Sequence, residues 1–593
     1  MAGQITIGIT TLLFIAVAVA EQSTMQYDTI VVGLGAAGVT AASTLASAGR
    51  KVLGLEAQGR IGGRVHTVPF GDGVVELGAE WIHGQHGSRV YETAVRNNVT
   101  VLSQNLTLDV YRSDGSRADS VLVNELVEYC LSAVEAAAYE TVPLGEFITR
   151  KLKETRPELL EDEDFLDSFL DLMDLVVDNY EGSDSWYDVS SRTDYEELGG
   201  DQHLSWHRHG YKTFFELMLN TYQGGPGYPN LDIKLNAEVS KIAWPQRPSE
   251  LVQVTCADGQ TYKANNVIVT VSVGVLKDRH RSLFEPPLPE AKVLAVSRLS
   301  MGTVDKVVLA FPHRWWPDHE SYWFRQTRLE RERELNETGW VNYFASSAMG
   351  SRNAISVWHA GRTARLVSEW GPVMRGPVGP GRAMHAGHTG HASLFTPPVP
   401  KVKVKAINSL TMGVMDKIVF TFTKPWWPTS HTFFGFLWRP EDRRKVARED
   451  RWTTRIFGAS SPLGSGNTLT LWTSGESGKL VETLPEDLVK RKSVELLQKF
   501  LGANVTVPEP TGMIRTTWYS NPYTRGSYTF DSMESMKYPD SRKDLGTPLL
   551  DSAGTPRVLF AGEATNLRHF STVHGASETG YREAMRLLPS SKI

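Results

Sequence analysis

The chain has 593 residues, 41% hydrophobic and 22% charged, enough for two or more domains with sizeable cores. Its formal net charge of -5 provides no basic surface of the kind nucleic acid needs, so no nucleic-acid partner is expected. Two cysteines, Cys130 and Cys256, permit at most one internal disulfide and exclude a disulfide framework or a cysteine-based metal site; no metal is expected.

The first element is the apolar run 5–20, ITIGITTLLFIAVAVA, which closes on the small-x-small site Ala18-Val19-Ala20 before the polar EQST. It reads as a secretory signal peptide over 1–20, giving a secreted, extracellular protein. It carries no Lys or Arg at its start, and its sixteen residues fall short of a spanning helix. A retained anchor is therefore the lesser alternative, and no stable membrane partner is expected. Four glycosylation sequons, at Asn98, Asn105, Asn336 and Asn504, are compatible with secretion but also occur by chance. A competing address lies at the other end: Ser591-Lys592-Ile593 approximates the peroxisomal S-K-L signal, and Met25 could begin a leaderless form.

Residues 27–32 (YDTIVV) then read as a buried strand, Gly33 to Gly38 (GLGAAG) as a tight turn, and 39–48 as an alanine-rich helix. In this strand-turn-helix setting Gly33 permits the turn, Gly35 lets the backbone approach a pyrophosphate, and Gly38 allows close helix packing. Ala36 and Ala37 complete the same turn, and the helix N-terminus aims at the phosphates. Glu56 ends the next strand, 51–55, where it can accept the ribose hydroxyls of an adenosine. A second glycine run, GRIGGRV, follows at 59–65. A GxGxxG alone could be no more than a turn, but with the placed strand, the placed acid and the second Gly-Gly-Arg it reads as a dinucleotide site.

Residues 120–178 are helical by pattern, with Phe165, Phe169, Met173 and Val176 at spacings of three and four, and are expected in a separate substrate domain. From Glu158 to Asp201 sixteen Asp or Glu stand against one basic residue, Arg192. This run reads as solvated helix faces, as a field that concentrates a cationic substrate, or as both. Residues 231–270 alternate as strands and are expected to pass a second time through the cofactor domain.

An internal repeat follows. SMGTVDKVVLAFPHRWWP (300–317) and TMGVMDKIVFTFTKPWWP (411–428) align without gaps at an offset of 111, with nine of eighteen positions identical. Between them, residues 348–400 carry eight Gly and six Pro, with a single acid, Glu369, and no periodicity. That composition predicts no packed structure. The arrangement resembles two alternative exons read into one chain, of which only one can fill the slot in the fold. His385, His388 and His391 are spaced like a metal tract, but in so glycine-rich a setting ligation is not expected. Each repeat carries a lysine, Lys306 or Lys417, inside an apolar run. Burying it is costly without a partner, although it could also snorkel.

Near the C-terminus, VLFAGEATNLRHFSTVHGASETGYREA (558–584) supplies a strand, a Gly-Glu turn and a helix opening at His574-Gly575-Ala576. With GLGAAG, GRIGGRV, ELGAEWIHG, MGTVDK, WYSNPYTRGSYTF and FAGEAT in this order, the chain resembles the FAD-dependent amine oxidases, polyamine oxidase branch, over 27–347 and 401–586. The resemblance implies an α/β (α+β) fold of two domains: a Rossmann-like FAD domain over 27–100, 231–290 and 540–588, and a substrate domain of mixed sheet and helices over 101–230 and 291–539. The insert 348–400 then separates duplicated segments 296–347 and 407–460.

The same resemblance implies that Glu56 binds the adenosine ribose and that Gly62, Gly63 and Arg64 line the pyrophosphate and ribityl side. Val239 would hold the adenine through its backbone, Gly562 and Glu563 would meet the ribityl chain, and Thr572 and Val573 would lie against the flavin. On the residues alone Arg64 could be a surface ion pair and Glu563 a helix cap. Lys306 or its twin Lys417 matches the lysine that holds a water against the flavin's reactive nitrogen. His83, beside Trp81, matches a site-lining histidine and could equally be structural. Tyr528 would present an aromatic face, while Thr572 stands where monoamine oxidases place a second aromatic. Ser527 stands where those enzymes carry the cysteine bonded to FAD, so the flavin is expected to be noncovalent. Trp518 and Tyr523 could be plain core aromatics.

The implied activity is oxidation of spermine, spermidine or their N1-acetyl forms by hydride transfer to flavin. Oxygen is reduced to hydrogen peroxide, and an aldehyde and a shorter amine are released. A secreted L-amino-acid oxidase of the same fold, which would need an arginine for the substrate carboxylate, and a catalytically inactive FAD-fold binding protein are the alternatives.

Overall fold

The computed structural model describes residues 26–589 other than 105–108, 113–115, 137–139, 184, 303, 312–318, 326–343, 348–353, 361–414, 425–431, 439–441, 443–444, 457, 461–464, 466, 475–480, 482–483, 502–505, 517 and 519–520. The signal-peptide run 1–20, the SKI terminus, the sequons at 105, 336 and 504, and the histidines of 385–391 lie outside the described residues.

The N-terminal unit is built as its pattern dictates. Strand β1 (Gln26–Val32) lies parallel to β2 (Val52–Leu55) on one side and to Thr261–Val269 on the other, and Pro556–Phe560 joins that last strand in parallel. The full sheet has nine strands, including Leu231–Lys234, Val239–Ala243 and Val252–Cys256 from the second pass. Alternation sorts the central strands onto two cores. Ile30, Val32, Val267 and Val558 face one, while Val31, Ile268 and Leu559 face the other together with Ala41 and Leu45 of helix α1 (Ala36–Ser47). A sheet apolar on both faces must be covered on both, which is why these strands read as near-continuous hydrophobic runs.

Two expectations shift here. Helix α1 starts at Ala36, three residues earlier than the alanine pattern alone indicates. Residues 204–222, placed by sequence in the substrate domain, pack in part on the cofactor side: Leu204, Trp206, Tyr211, Phe214, Phe215 and Leu219 share the core of α1 and the C-terminal helix Val573–Leu587.

The substrate side holds helices Ser120–Ala136, Leu144–Thr155 and Glu163–Glu181 over the stretch read as helical. Phe169, Met173 and Val176 are buried, with Phe165 packed at the edge. Asp162 caps the last of these helices by accepting from Phe165 N at 2.9 Å, and Gly182, at φ 68°, ends it in the left-handed region. Cys130 lies in this core and Cys256 in the cofactor core; both are free thiols.

A ten-stranded sheet backs these helices, and its order is a palindrome about Gly512–Arg515. On one side run Val304–Phe311, Ala354–Ala360, Phe344–Ser347 and His319–Arg325. On the other run Met415–Thr421, Thr468–Ser474, Gly458–Ser460 and Thr432–Leu437, then Asp109–Arg112. The duplication is therefore four strands long, more than the segments 296–347 and 407–460 read from the motif.

This corrects the reading of 348–400 as structureless: Ala354–Ala360 pairs with Val304–Phe311 as Thr468–Ser474 pairs with Met415–Thr421. Its local alternation, AISVWHA, was hidden by the Gly and Pro that dominate the segment's average composition. The two sets also meet each other. Val307 and Ile418 both face Arg515, Leu309 and Phe420 both face Met513, and Phe420 neighbours Ala310. Both sets thus meet Gly512–Arg515 in the same register.

Candidate active site

At the glycine turn, Gly33 has φ 91°, and its amide donates to Leu55 O at 2.8 Å. Gly35 is the N-cap of α1, extended and without a side-chain capping bond, which leaves the helix's first amides uncapped by their own N-cap residue. At Gly38 a Cβ would meet Gly33 O at 1.9 Å and Thr270 Oγ1 at 2.9 Å, just past the ends of β1 and of Thr261–Val269, so the helix start lies close on the strand ends. A second close approach, helix on helix, falls at Gly580 of Val573–Leu587, where a Cβ would meet Ala37 O at 2.1 Å. Ala36 and Ala37 are buried in the first turn of α1.

Glu56 is buried at the end of β2, and its two oxygens accept from Leu34 N at 2.8 Å and Gln58 N at 2.9 Å. Each oxygen keeps a second lone pair for a ribose hydroxyl. Gly62 N donates to Leu34 O at 2.8 Å, which ties the second glycine run to the first, and Gly63 follows it at φ 57°. Val239 sits buried in its strand opposite Cys256, and the neighbouring Glu238 accepts from the Tyr523 hydroxyl at 3.1 Å.

From the far end of the chain, Glu563 meets Arg64 at 2.9 Å. Glu563 also accepts from Thr529 Oγ1 at 2.6 Å and Ser571 N at 3.1 Å, so it joins four segments instead of capping a helix. Burial pushes its carboxyl up, but Arg64, Thr529 and Arg542 outweigh that and hold it below the ordinary value. Arg64 also donates to Ser527 O at 2.6 Å. Gly562, at φ 137°, has nothing within 4 Å of a Cβ position, and its amide is held by Thr579 Oγ1 at 2.9 Å. An uncapped helix start, a paired acid at the strand end and this arginine-carboxylate hub form a donor set that suits a dinucleotide with a ribityl linker.

Thr572 is the N-cap of Val573–Leu587, accepting from Gly575 N at 3.0 Å, and Val573 packs at the edge of the α1 core. Tyr528 is partly buried, with its backbone opposite Gly302 of the first repeat and its hydroxyl on Tyr180 O at 3.1 Å. Trp518 is a buried aromatic that donates to Leu77 O at 3.2 Å.

His83 lies 6.3 Å, edge-on, from His203, which in turn meets Trp81 at 5.8 Å. Burial lowers the His83 pKa, with a hydrogen bond to the Gln202 backbone pulling the other way. Burial, and then His83, lower His203 to about 4; burial, then His83 and His569, lower His574 to about 3. These rings are neutral at working pH. Both values lie below the ordinary 6.5, so the stability these groups contribute is complete above 6.5 and is lost as acid protonates the unfolded chain first. We expect Tm to fall between pH 6.5 and about 4, with part of that slope removed in His574→Gln; an unchanged slope in that variant would contradict the assignment.

Lys417 is fully buried and paired with Glu80, itself 1% exposed, with Nζ 4.5 Å from the centre of the Trp472 ring. Lys306 occupies the equivalent strand position opposite Trp358, as Lys417 stands opposite Trp472; its side chain is outside what the structure describes. Sequence reasoning did not single out Glu80, 337 residues from its lysine. Nor did it single out Glu181, one of sixteen acids in a run. Glu181 ends the capped helix beside Tyr528, and its carboxyl is pushed up to about 7 by burial and by Asp531, against the pull of Arg542. Among the described residues no group of three His, Cys, Asp or Glu could hold a metal, and no helix is long and apolar enough to cross a membrane.

Comparison with known proteins adds the following. A family model described as flavin containing amine oxidoreductase matches residues 36–369 and 380–588. The match runs through 354–360, in keeping with the strand found there. Peroxisomal N(1)-acetyl-spermine/spermidine oxidase of Bos taurus is 26% identical over 94% of each chain, and that of Homo sapiens 25% over 94% of each. Probable polyamine oxidase 4 of Arabidopsis thaliana is 30% identical over 51% of this chain and 61% of its own.

Proposed function

Since the chain belongs to the flavin containing amine oxidoreductase family, in its polyamine oxidase branch and with FAD as cofactor, we propose that it oxidises linear polyamines bound as cations beside Tyr528. The FAD, when bound, supplies the two-electron acceptor for hydride loss from the carbon next to the reacting nitrogen, and oxygen takes the electrons on to hydrogen peroxide. The observation that carries this reading is Glu181. It is a half-buried carboxylate at the end of Glu163–Glu181, next to Tyr180, whose carbonyl accepts from the Tyr528 hydroxyl at 3.1 Å. A distal ammonium of a polyamine supplies the charge that such a group lacks, and the Tyr528 face adds a second attraction for a cation.

The neutral imidazoles of His83, His203 and His574 add no competing positive charge. Arg542, whose charge acts on Glu181, is held by Asp531 at 3.1 Å and Thr529 at 2.7 Å, and stacks 3.6 Å over Phe570. It is committed to structure, which disfavours a carboxylate-bearing amino acid as substrate.

Purified holoenzyme mixed anaerobically with spermine, spermidine or their N1-acetyl forms should lose its yellow colour, and should release peroxide in air. A flavin unresponsive to all of them would overturn the reading. The Glu181 carboxyl titrates near 7, so KM for spermine should fall as pH rises through that value and the group gains its charge. In Glu181→Gln that limb should vanish and KM should rise about 10- to 100-fold, the equivalent of about 1.5–3 kcal/mol for a hydrogen bond to a charged group. The apolar run 5–20 belongs to the same proposal as a leader for secretion; N-terminal sequencing of protein recovered from the medium tests it.

A further inference from the structure

We infer that Glu80 is the positioning residue for the active-site lysine: a buried carboxylate that fixes the aim of Lys417 Nζ and keeps it an ammonium. The inference rests on the proposed function only for the lysine's place beside the flavin; the pair itself is a matter of geometry.

Lys417 comes from the substrate sheet, on Met415–Thr421, where its backbone amide reaches Thr516 Oγ1 at 3.4 Å. Glu80 comes from the opposite side. Two residues before it, Gly78 lies so close on Arg64 that a Cβ would meet Arg64 O at 1.9 Å, and three residues after it stands His83. The carboxylate is thus carried by the segment that packs on the cofactor-side arginine, and it reaches across to a lysine with no exposed surface.

Trp472 offers only a ring face at 4.5 Å. Arg515, on the neighbouring strand, is turned to the Val481 and Leu484 carbonyls, and His83 is neutral. An ammonium in such a place sheds its proton unless a counter-ion holds it. Glu80 also takes one of the three N–H directions of Nζ, which fixes where the other two point. A lysine that must order a water can do so only with both its charge and its direction fixed.

Four holoenzymes test this: wild type, Glu80→Gln, Lys417→Met and the double variant. Each is followed by the flavin's visible spectrum against pH, by Tm, and by the rate of anaerobic flavin reduction with spermine. In Glu80→Gln the spectrum should show a pH transition that the wild type lacks, as the ammonium, now beside a neutral amide, loses its proton. Reduction should slow about tenfold or more above that transition. The double variant should show no transition and a higher Tm than Lys417→Met, because it no longer buries a lone carboxylate. A Glu80→Gln protein with wild-type spectrum and pH profile, altered only in Tm, would overturn the inference.

Should Glu80→Gln fail to fold, Glu80→Asp retains the charge at shorter reach. It should keep the wild-type pH profile but reduce flavin more slowly, and a wild-type rate there would exclude a role in aiming. If no variant or wild type responds to any polyamine, the proposed function fails, while the spectral transition and the stability cycle still decide the role of Glu80.

Discussion

Gly38→Ala is expected to purify without its yellow colour. The added methyl would lie 1.9 Å from Gly33 O and 3.0 Å from Gly33 C, which are backbone atoms and cannot swing aside. Gly33 is itself pinned, its amide on Leu55 O and its carbonyl on Thr270 Oγ1, each at 2.8 Å. The turn must open, and the start of α1 moves with it. Overpacking of this kind costs about 1–3 kcal/mol or more, and every 1.4 kcal/mol taken from binding is about a tenfold loss of affinity. FAD should therefore be held about 10- to 100-fold more weakly, read as flavin absorbance per protein and as a dissociation constant. Gly35→Ala is the contrast. Its methyl would come only to 3.8 Å from Gly62 O, and its backbone is extended. That apoprotein should melt like wild type and yet bind FAD poorly, because the methyl meets the ligand and not the chain. Equal Tm losses in both apoproteins would show that the site has been misassigned.

Lys417→Met should slow flavin reduction by about 10²- to 10⁴-fold, the range typical of one positioned proton-handling group, while Lys306→Met should leave it within a few-fold. The reason lies in what holds Lys417. Lys417 is buried on Glu80, and that pair spans the two sides of the molecule. Rapid-mixing measurement of the reduction rate decides between them. The reverse pattern would mean that the first repeat fills the slot in the working enzyme. A variant lacking 307–417, which joins Lys306 to Ile418, should keep FAD and activity, since it retains one copy of the motif.

The cofactor side was legible because each of its features is local. A strand, a turn and a helix start fall within thirteen residues, 26–38, and the expected strand differs from the observed one by a single residue. What escaped was set by contacts between distant segments. The close approach at Gly580 shows only in the packing of Val573–Leu587 on α1. The small residues Ala576 and Gly580, four apart on one helix face, were a signal that could have shown it. Glu80 and Lys417 are joined by no spacing rule. Glu181 is marked out from its acidic neighbours only by the Gly182 that ends its helix against Tyr528; other acids of the run serve the scaffold, as Asp174 does in accepting from Trp186 N at 3.0 Å. The strand at 354–360 was lost to averaging, because seven alternating residues cannot offset the composition of the whole segment.

The palindromic sheet has a consequence for how this chain can change length. Val307 and Ile418 meet the same residue, Arg515, so the pleat is in the same phase in both repeats. A crossover between any residue of Val304–Phe311 and its counterpart would excise 111 residues and leave every inward-facing side chain facing inward. Most internal deletions break a sheet's register; here one particular length of cut would keep it, and that length is written into the chain by the duplication itself.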